Sequence, residues 1–278
     1  MGPFEMWDAL GMDTVLNGMA EHDLDPPGWV ETMSERGHSF YETGDDARTV
    51  FMPRSGSHEP DPRPGDELRL APIKQEGQNE LWSNDDAALL DLGEGVALYE
   101  FRSKANTLGR DVMMGLRECI GRVEQDADLR GMVVGNEGKN FSVGANLGEM
   151  AMAASQGAFD VIDQYIDEFQ RTIQQVRYAS KPVVVAPHQR VLGGGCEMAM
   201  ACPHPVASAE TYIGLVELGV GLIPAGTGTM RLAAKAAREA PNENHNAIQD
   251  HLRPYFETVA MAEVAESAAQ GIDMGFLP

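Results

Sequence analysis

A β-branched run, Pro182-Val183-Val184-Val185-Ala186, then Gly193-Gly194-Gly195, then the helix-like stretch Glu197-Met198-Ala199-Met200-Ala201 constrain this chain more than any other feature. The succession reads as a strand, a tight glycine loop and the start of a helix. Unpaired backbone N–H groups and the positive end of the helix dipole meet at such a loop and favour a developing negative charge. Glu197 on the helix and Glu217 twenty residues later add carboxyl groups that can move protons while amides hold an oxyanion. The combination points to carbonyl chemistry.

Composition narrows the surroundings of that site. With 278 residues, 43% hydrophobic and 23% charged, the chain has the balance of a globular protein with a real core. A formal net charge of −22 argues against nucleic-acid binding, which needs a basic surface. No apolar run approaches the ~20 residues that span a bilayer, so a cytoplasmic protein is expected. Cys119, Cys196 and Cys202 have no zinc spacing and form no disulfide framework. His188, His204, His245 and His251 share no metal or triad spacing, so no metal site is expected.

Three regions separate along the chain. Residues 1–52 read as short helices, with Pro27 near the start of one. Residues 53–67 are dense in Pro, Gly and charge and read as a linker. Residues 68–278 alternate strand-like and helix-like runs, which predicts an α/β fold rich in parallel strands. Ala87–Leu92 and Val96–Phe101 flank Gly93-Glu94-Gly95 as a hairpin; 111–123, 159–176, 229–239 and 247–270 read as helices. Strands are expected at 131–135, 182–186, 206–209 and 211–213.

A second strand-to-helix turn, Phe141-Ser142-Val143-Gly144-Ala145-Asn146-Leu147, has the same build as the triple glycine. Either turn alone is ordinarily a loop former or helix cap. Side by side, each can give one N–H to a single carbonyl oxygen, and losing such a donor commonly costs about 3 to 4 kcal/mol of transition-state stabilisation. Apolar neighbours of Glu197 and Glu217 would raise both carboxyl pKa values toward neutrality.

Four pieces in order carry a resemblance to a known family: Ala105-Asn106-Thr107-Leu108, the turn from Asn140 to Leu147, Leu192-Gly193-Gly194-Gly195-Cys196-Glu197, and Gly214-Leu215-Val216-Glu217 running through Pro224 to Arg231-Leu232. From Ala87 onward the sequence resembles the crotonase (enoyl-CoA hydratase/isomerase) superfamily. The resemblance implies a crotonase-like α/β fold of repeated ββα units, preceded by a small α-helical remnant. It also implies an oxyanion hole from the amides of Ala145 and Gly194. Glu197 would activate water and Glu217 would deliver a proton to the α-carbon of a trans-2-enoyl-CoA. Coenzyme A contacts fall at Lys104, Ala105 and Gly144; Lys104 or Arg102 meets a phosphate or is solvated surface charge. An isomerase, or an inactive fragment, is the competing reading.

Gly2-Pro3-Phe4-Glu5-Met6-Trp7-Asp8 resembles the C-terminal helical domain of 3-hydroxyacyl-CoA dehydrogenases, which bacterial β-oxidation proteins fuse to a hydratase. The resemblance therefore implies a split or truncated fusion, with the family's C-terminal helices cut short, acting on an acyl-CoA. Assembly is expected as a homo-oligomer or with a dehydrogenase or thiolase. No Gly-x-Gly-x-x-Gly follows a strand, so no cofactor is expected in this chain, and NAD would act only on a separate dehydrogenase part. Two departures stand out: Asn146 where simple hydratases have Asp, and Ala225-Gly226-Thr227-Gly228 where a longer run of glycines is usual.

Overall fold

The computed structural model describes residues 3–43, 48–60, 68, 70–75, 79–241 and 245–278. They fall into two compact units, Met1–Leu68 and Arg69–Pro278.

The first unit carries α1 (Pro3–Leu10), α2 (Met12–Glu21) and α3 (Gly28–Glu35), followed by an antiparallel sheet of β1 (Tyr41–Thr43), β2 (Arg48–Met52) and β3 (Ser57–Pro60). Met12, Val30, Met33, Phe40 and Phe51 form its core. The Asp8 carboxylate accepts from the amides of Phe40 and Tyr41 at 2.8 and 2.9 Å, tying α1 to the start of β1. The three short helices stand where expected, but the helical reading of residues 1–52 and the linker reading of 53–67 are corrected from residue 41 on, since β1, β2 and β3 are strands. Strand β3 was hidden because it is four residues long, mostly exposed, and ends on Pro60, where a strand edge tolerates proline. Gly2 and residues 61–67 lie outside the described residues.

The second unit begins with α4 (Leu70–Gln75) and builds a five-stranded sheet from β4 (Glu80–Ser83), β5 (Ala87–Asp91), β6 (Val96–Phe101), β7 (Gly131–Gly135) and β8 (Val183–Val185), in that order. The first two pairings are antiparallel and the last two parallel. Alternation along β5 and β6 buries both faces: Ala87, Leu89, Tyr99 and Phe101 on one, Ala88, Leu90 and Leu98 on the other. Glu100 is buried among the second set and accepts a charged hydrogen bond from Lys74 Nζ at 2.6 Å, which offsets the cost of taking a carboxylate out of water.

Helix α5 (Arg110–Gln125) turns Val112, Leu116, Cys119, Ile120 and Val123 inward at helical spacing. Helix α6 (Leu147–Ser155) starts on Asn146, whose side chain accepts from the amides of Gly148 and Glu149. Asparagine at this position thus serves as a helix N-cap. Helix α7 (Phe159–Tyr178) follows, and its apolar residues divide: Phe169, Ile173 and Val176 are core, whereas Phe159 is exposed.

Strand β9 (Gln189–Leu192) then leads into α8 (Gly194–Ala201), so the element preceding the glycines is β9 rather than the valine run, which forms β8 one step earlier. Strand β10 (Thr211–Gly214) pairs parallel with β9 in a separate two-stranded sheet. Residues 206–209 are irregular; they bond to the β8 edge through Val206 N–H to Val185 O and Ser208 N–H to Pro187 O, both 2.9 Å. After α9 (Gly228–Glu239), the expected long helix is broken into α10 (His245–Ala260) and α11 (Ala268–Asp273). Ala262 takes a positive φ of 52° there, and Ala265 exchanges backbone hydrogen bonds with Ile213 of β10. Among the described residues no helix is long and apolar enough to cross a membrane.

The close seat of β10 on the 263–265 segment gives a stability test. A Cβ at Gly214 would lie 2.5 Å from Glu263 O and 3.1 Å from Val264 Cα, both main chain. Gly214→Ala is expected to lower the unfolding free energy by about 1–3 kcal/mol. Gly121→Ala, in α5 with nothing within 4 Å, is expected to raise it by up to about 1 kcal/mol. Urea unfolding of both variants checks this, and equal midpoints would contradict it.

Candidate active site

Three chain segments run parallel and end at one edge. Ser142 N–H donates to Arg190 O at 3.1 Å and Leu192 N–H to Ser142 O at 2.9 Å, forming a parallel bridge between the Ser142 segment and β9. On the other side β9 is in register with β10, and Gly193 N–H donates to Gly214 O at 3.0 Å. The turns that follow therefore meet at the carboxyl ends of the strands, where ligands bind in open α/β sheets.

The first two turns touch. Gly144 has φ +95°, and a Cβ there would sit 3.0 Å from Leu192 O and 3.4 Å from Gly194 N. Gly193 has φ +54°, and its missing Cβ leaves room for Glu217 Oε1, which would lie 3.3 Å away. Only glycine combines these backbone angles with this clearance. Gly194 opens α8, so its N–H precedes the first intrahelical bond. Neither the Gly194 amide nor the Ala145 amide has an acceptor among the described residues.

Glu197 is 2% exposed. Its Oε2 accepts from Gly226 N–H and its Oε1 from Gly228 N–H, each at 2.9 Å. Burial pushes its pKa up to about 7; the Gly228 and Gly226 amides and Arg231 oppose that rise, while the Glu217 carboxyl adds to it. Thr227, between the two donor amides, takes φ +88°, a strained conformation for a β-branched residue costing on the order of 1–3 kcal/mol. The unusual Ala225-Gly226-Thr227-Gly228 turn is therefore the clasp of Glu197. Sequence reading missed this; two glycines flanking one residue just before a helix were the available signal.

Glu217 follows β10 in a short helical turn, Glu217–Val220. Burial raises its pKa above the usual carboxylate range, opposed by its own backbone N–H. Its Oε2 is buried and makes no hydrogen bond among the described residues.

A cavity of about 400 Å³ joins these groups: Gly144, Ala145, Gly194, Glu197 and Glu217 all line it. Ile162, Tyr165, Ile166 and Phe169 of α7 form its apolar wall, Phe169 joining that wall to the core. Tyr165 Oη donates to Leu108 O at 2.5 Å, holding α7 in place. Lys104 and Ala105 do not line this cavity; Lys104 borders a separate one of about 190 Å³ with Ser103 and Arg110. Ala105 and Asn106 both have positive φ, 55° and 52°. Asn106 Nδ2 donates to Asn136 Oδ1 and Asn140 O, both at 2.8 Å, linking this segment to the stretch that leads into Ser142.

Two acceptor-free amides and two carboxyl groups with raised pKa thus share one apolar cavity at the ends of the parallel tracks. The enoyl-CoA hydratase/isomerase family profile matches residues 91–247, more than half of the chain, and the chain belongs to that family. Along its whole length it is 36% identical to a probable 3-hydroxyacyl-CoA dehydrogenase of Bacillus subtilis, covering 34% of that protein. It is 33% identical over 128 residues to a probable enoyl-CoA hydratase of the same organism, covering 46% of this chain and 48% of the relative. The chain thus spans less than half the length of either. The crystal structure of an enoyl-CoA hydratase from Polaromonas sp. JS666 superposes with a TM-score of 0.57 at 24% identity, over 69% of this chain and 68% of that one. That likeness bears on the fold, which is the crotonase α/β fold.

The proton on Glu197 is measurable through stability. Its folded pKa of about 7 lies above the ordinary 4.5, so between these values the folded chain holds a proton that the unfolded chain has released. Unfolding free energy contributed by this group therefore falls as pH rises from about 4.5 to about 7. The difference between the wild type and Glu197→Gln, followed by denaturant titration across that window, is expected to shrink with rising pH. A constant difference would contradict the shift.

Proposed function

We propose that this chain hydrates trans-2-enoyl-CoA thioesters to 3-hydroxyacyl-CoA. The observation that carries the reading is the placement of Glu197, Glu217 and the acceptor-free amides of Ala145 and Gly194 on one cavity wall. The thioester oxygen sits between the two amides, which withdraw charge from the conjugated double bond and hold the enolate as it develops. Glu197, with a pKa near neutrality, takes a proton from water as its oxygen bonds to the β-carbon. Glu217, whose pKa is raised by burial, gives its proton to the α-carbon. Proton exchange with water restores both groups. The hydroxyl ends on the β-carbon and the hydrogen on the α-carbon, so one water is consumed and no redox cofactor is needed.

Apolar α7 side chains receive the acyl chain, and the coenzyme A portion leads past Gly144 and Ala105 toward Lys104. The proposed setting is β-oxidation of fatty acids in the cytoplasm, in company with a dehydrogenase or thiolase, NAD serving only a dehydrogenase part. Similarity to a probable 3-hydroxyacyl-CoA dehydrogenase and to a probable enoyl-CoA hydratase supports the pairing of hydratase with dehydrogenase.

The test follows the loss of the conjugated thioester's ultraviolet absorbance with crotonyl-CoA and longer enoyl-CoAs. Glu197→Gln and Glu217→Gln are each expected to lower kcat by on the order of 10²-fold or more with little change in KM. No turnover by folded wild type at any chain length would reject the reading. Conversion of a 3-enoyl-CoA to the conjugated product without water addition would reassign the chain as an isomerase.

A further inference from the structure

The first unit holds a cluster that the proposed hydratase chemistry does not use. His38, Glu42 and His58 bring one ligand atom each to within 4.8 Å of one another. His38 Nδ1 lies 3.1 Å and His58 Nδ1 3.5 Å from the same oxygen, Glu42 Oε1. Three different elements deliver them. His38 follows the left-handed cap at Gly37 that closes α3, with its N–H on Met33 O at 3.1 Å. Glu42 sits on β1 and His58 on β3, on opposite sides of β2, paired with Thr49 and Phe51 respectively. Thr49 and Phe51 share one face of β2, so the two ligands share a face of the sheet.

The hydrogen bonding of His58 fixes its chemistry. Its Nε2 meets the carbonyl of Ser39 at 2.9 Å. A carbonyl only accepts, so Nε2 carries the proton. In the neutral ring Nδ1 is then a lone pair, and that atom is buried, makes no hydrogen bond and faces a carboxylate. A lone pair held against an anion is relieved by a positive charge between them, a proton or a metal ion. A backbone carbonyl that fixes the tautomer of a ligating imidazole is the usual outer support of a metal-bound histidine. The two nitrogen-to-oxygen separations, 3.1 and 3.5 Å, are close to this: zinc bonds of about 2.0–2.2 Å in tetrahedral geometry put neighbouring ligand atoms about 3.3–3.5 Å apart.

We propose that His38 Nδ1, His58 Nδ1 and Glu42 form a binding site for a divalent cation of the zinc class, which clamps the end of α3 to β1 and β3. The Phe51 ring, 5.6 Å from that of His58 and 6.0 Å from that of His38, supplies an apolar wall. His38 and Glu42 are partly exposed, which gives the ion a path in. Two nitrogens and a carboxylate oxygen leave the fourth position to water. Sequence reading expected no metal site because it weighed the cysteines and His188, His204, His245 and His251, and His38 and His58 stand in no spaced motif.

The experiment uses the full chain, stripped of metal with a chelator and kept in high salt to screen its acidic surface. Zinc alone is titrated by calorimetry, and cobalt alone by visible absorption. One equivalent is expected to bind and to raise Tm. The cobalt complex should show tetrahedral bands without thiolate charge transfer, which separates this site from the buried cysteines Cys119, Cys196 and Cys202. His38→Gln, at a half-buried position, and Glu42→Gln, at an exposed one, should each weaken binding by at least 10-fold. Absence of stoichiometric binding would leave only a His–Glu ion pair and overturn the proposal. Unchanged affinity in both variants, or a thiolate band in the wild-type spectrum, would do the same. Should a variant fail to fold, the wild-type cobalt spectrum decides by itself.

Discussion

The backbone pairing of the Ser142 segment with β9, and of β9 with β10, is the constraint on which the site depends. Parallel hydrogen bonding aligns chain direction, so whatever follows each strand emerges at the same edge. Two of these exits are tight glycine turns and the third carries a carboxylate. Amides nearly fifty positions apart, at Ala145 and Gly194, thereby come into one corner. Side chains contribute little to that corner: a donor array made of main chain needs only the ladder to stay in register.

Glu197 depends on a different device. A carboxyl group this buried would be costly in its charged form, and two amides from the turn before α9 return part of that cost. The balance leaves the group near the midpoint of its titration at neutral pH. The strain at Thr227 is located where it keeps both amides aimed at one residue. Local conformational cost and proton affinity are thus two sides of one arrangement.

Much of the second unit could be read from its residues because its signals are local. The Gly93-Glu94-Gly95 hairpin, the apolar repeat of α5 and the glycine entry to α8 each sit within a single window of sequence, and each formed where expected. What escaped reading depends on partners distant along the chain. Strand β9 is a four-residue segment with Gln189 and Arg190 in it, and exists because Ser142 and β10 flank it. The break between α10 and α11 follows from the need of Ala265 to reach Ile213. Strand β3 likewise owes its form to β2 rather than to its own proline-bordered sequence. Glu197 and Glu217 were legible as a pair, whereas the amides that hold Glu197 were not, because Gly226 and Gly228 declare nothing until the loop closes on α8.

The two carboxyl groups are mounted differently. Glu197 rises from a helix within the main core, while Glu217 hangs from β10, the outer member of a two-stranded sheet. Behind β10 lie Ala265, bonded to Ile213, and the 271–277 stretch, where Ile213 packs close to Gly271. None of that backing lines the cavity. Selection acting on these remote residues can shift the pitch of Glu217 without altering any residue that lines the cavity. In a fold that hosts many reactions, this remote backing offers a route by which chemistry drifts without the cavity wall being rebuilt.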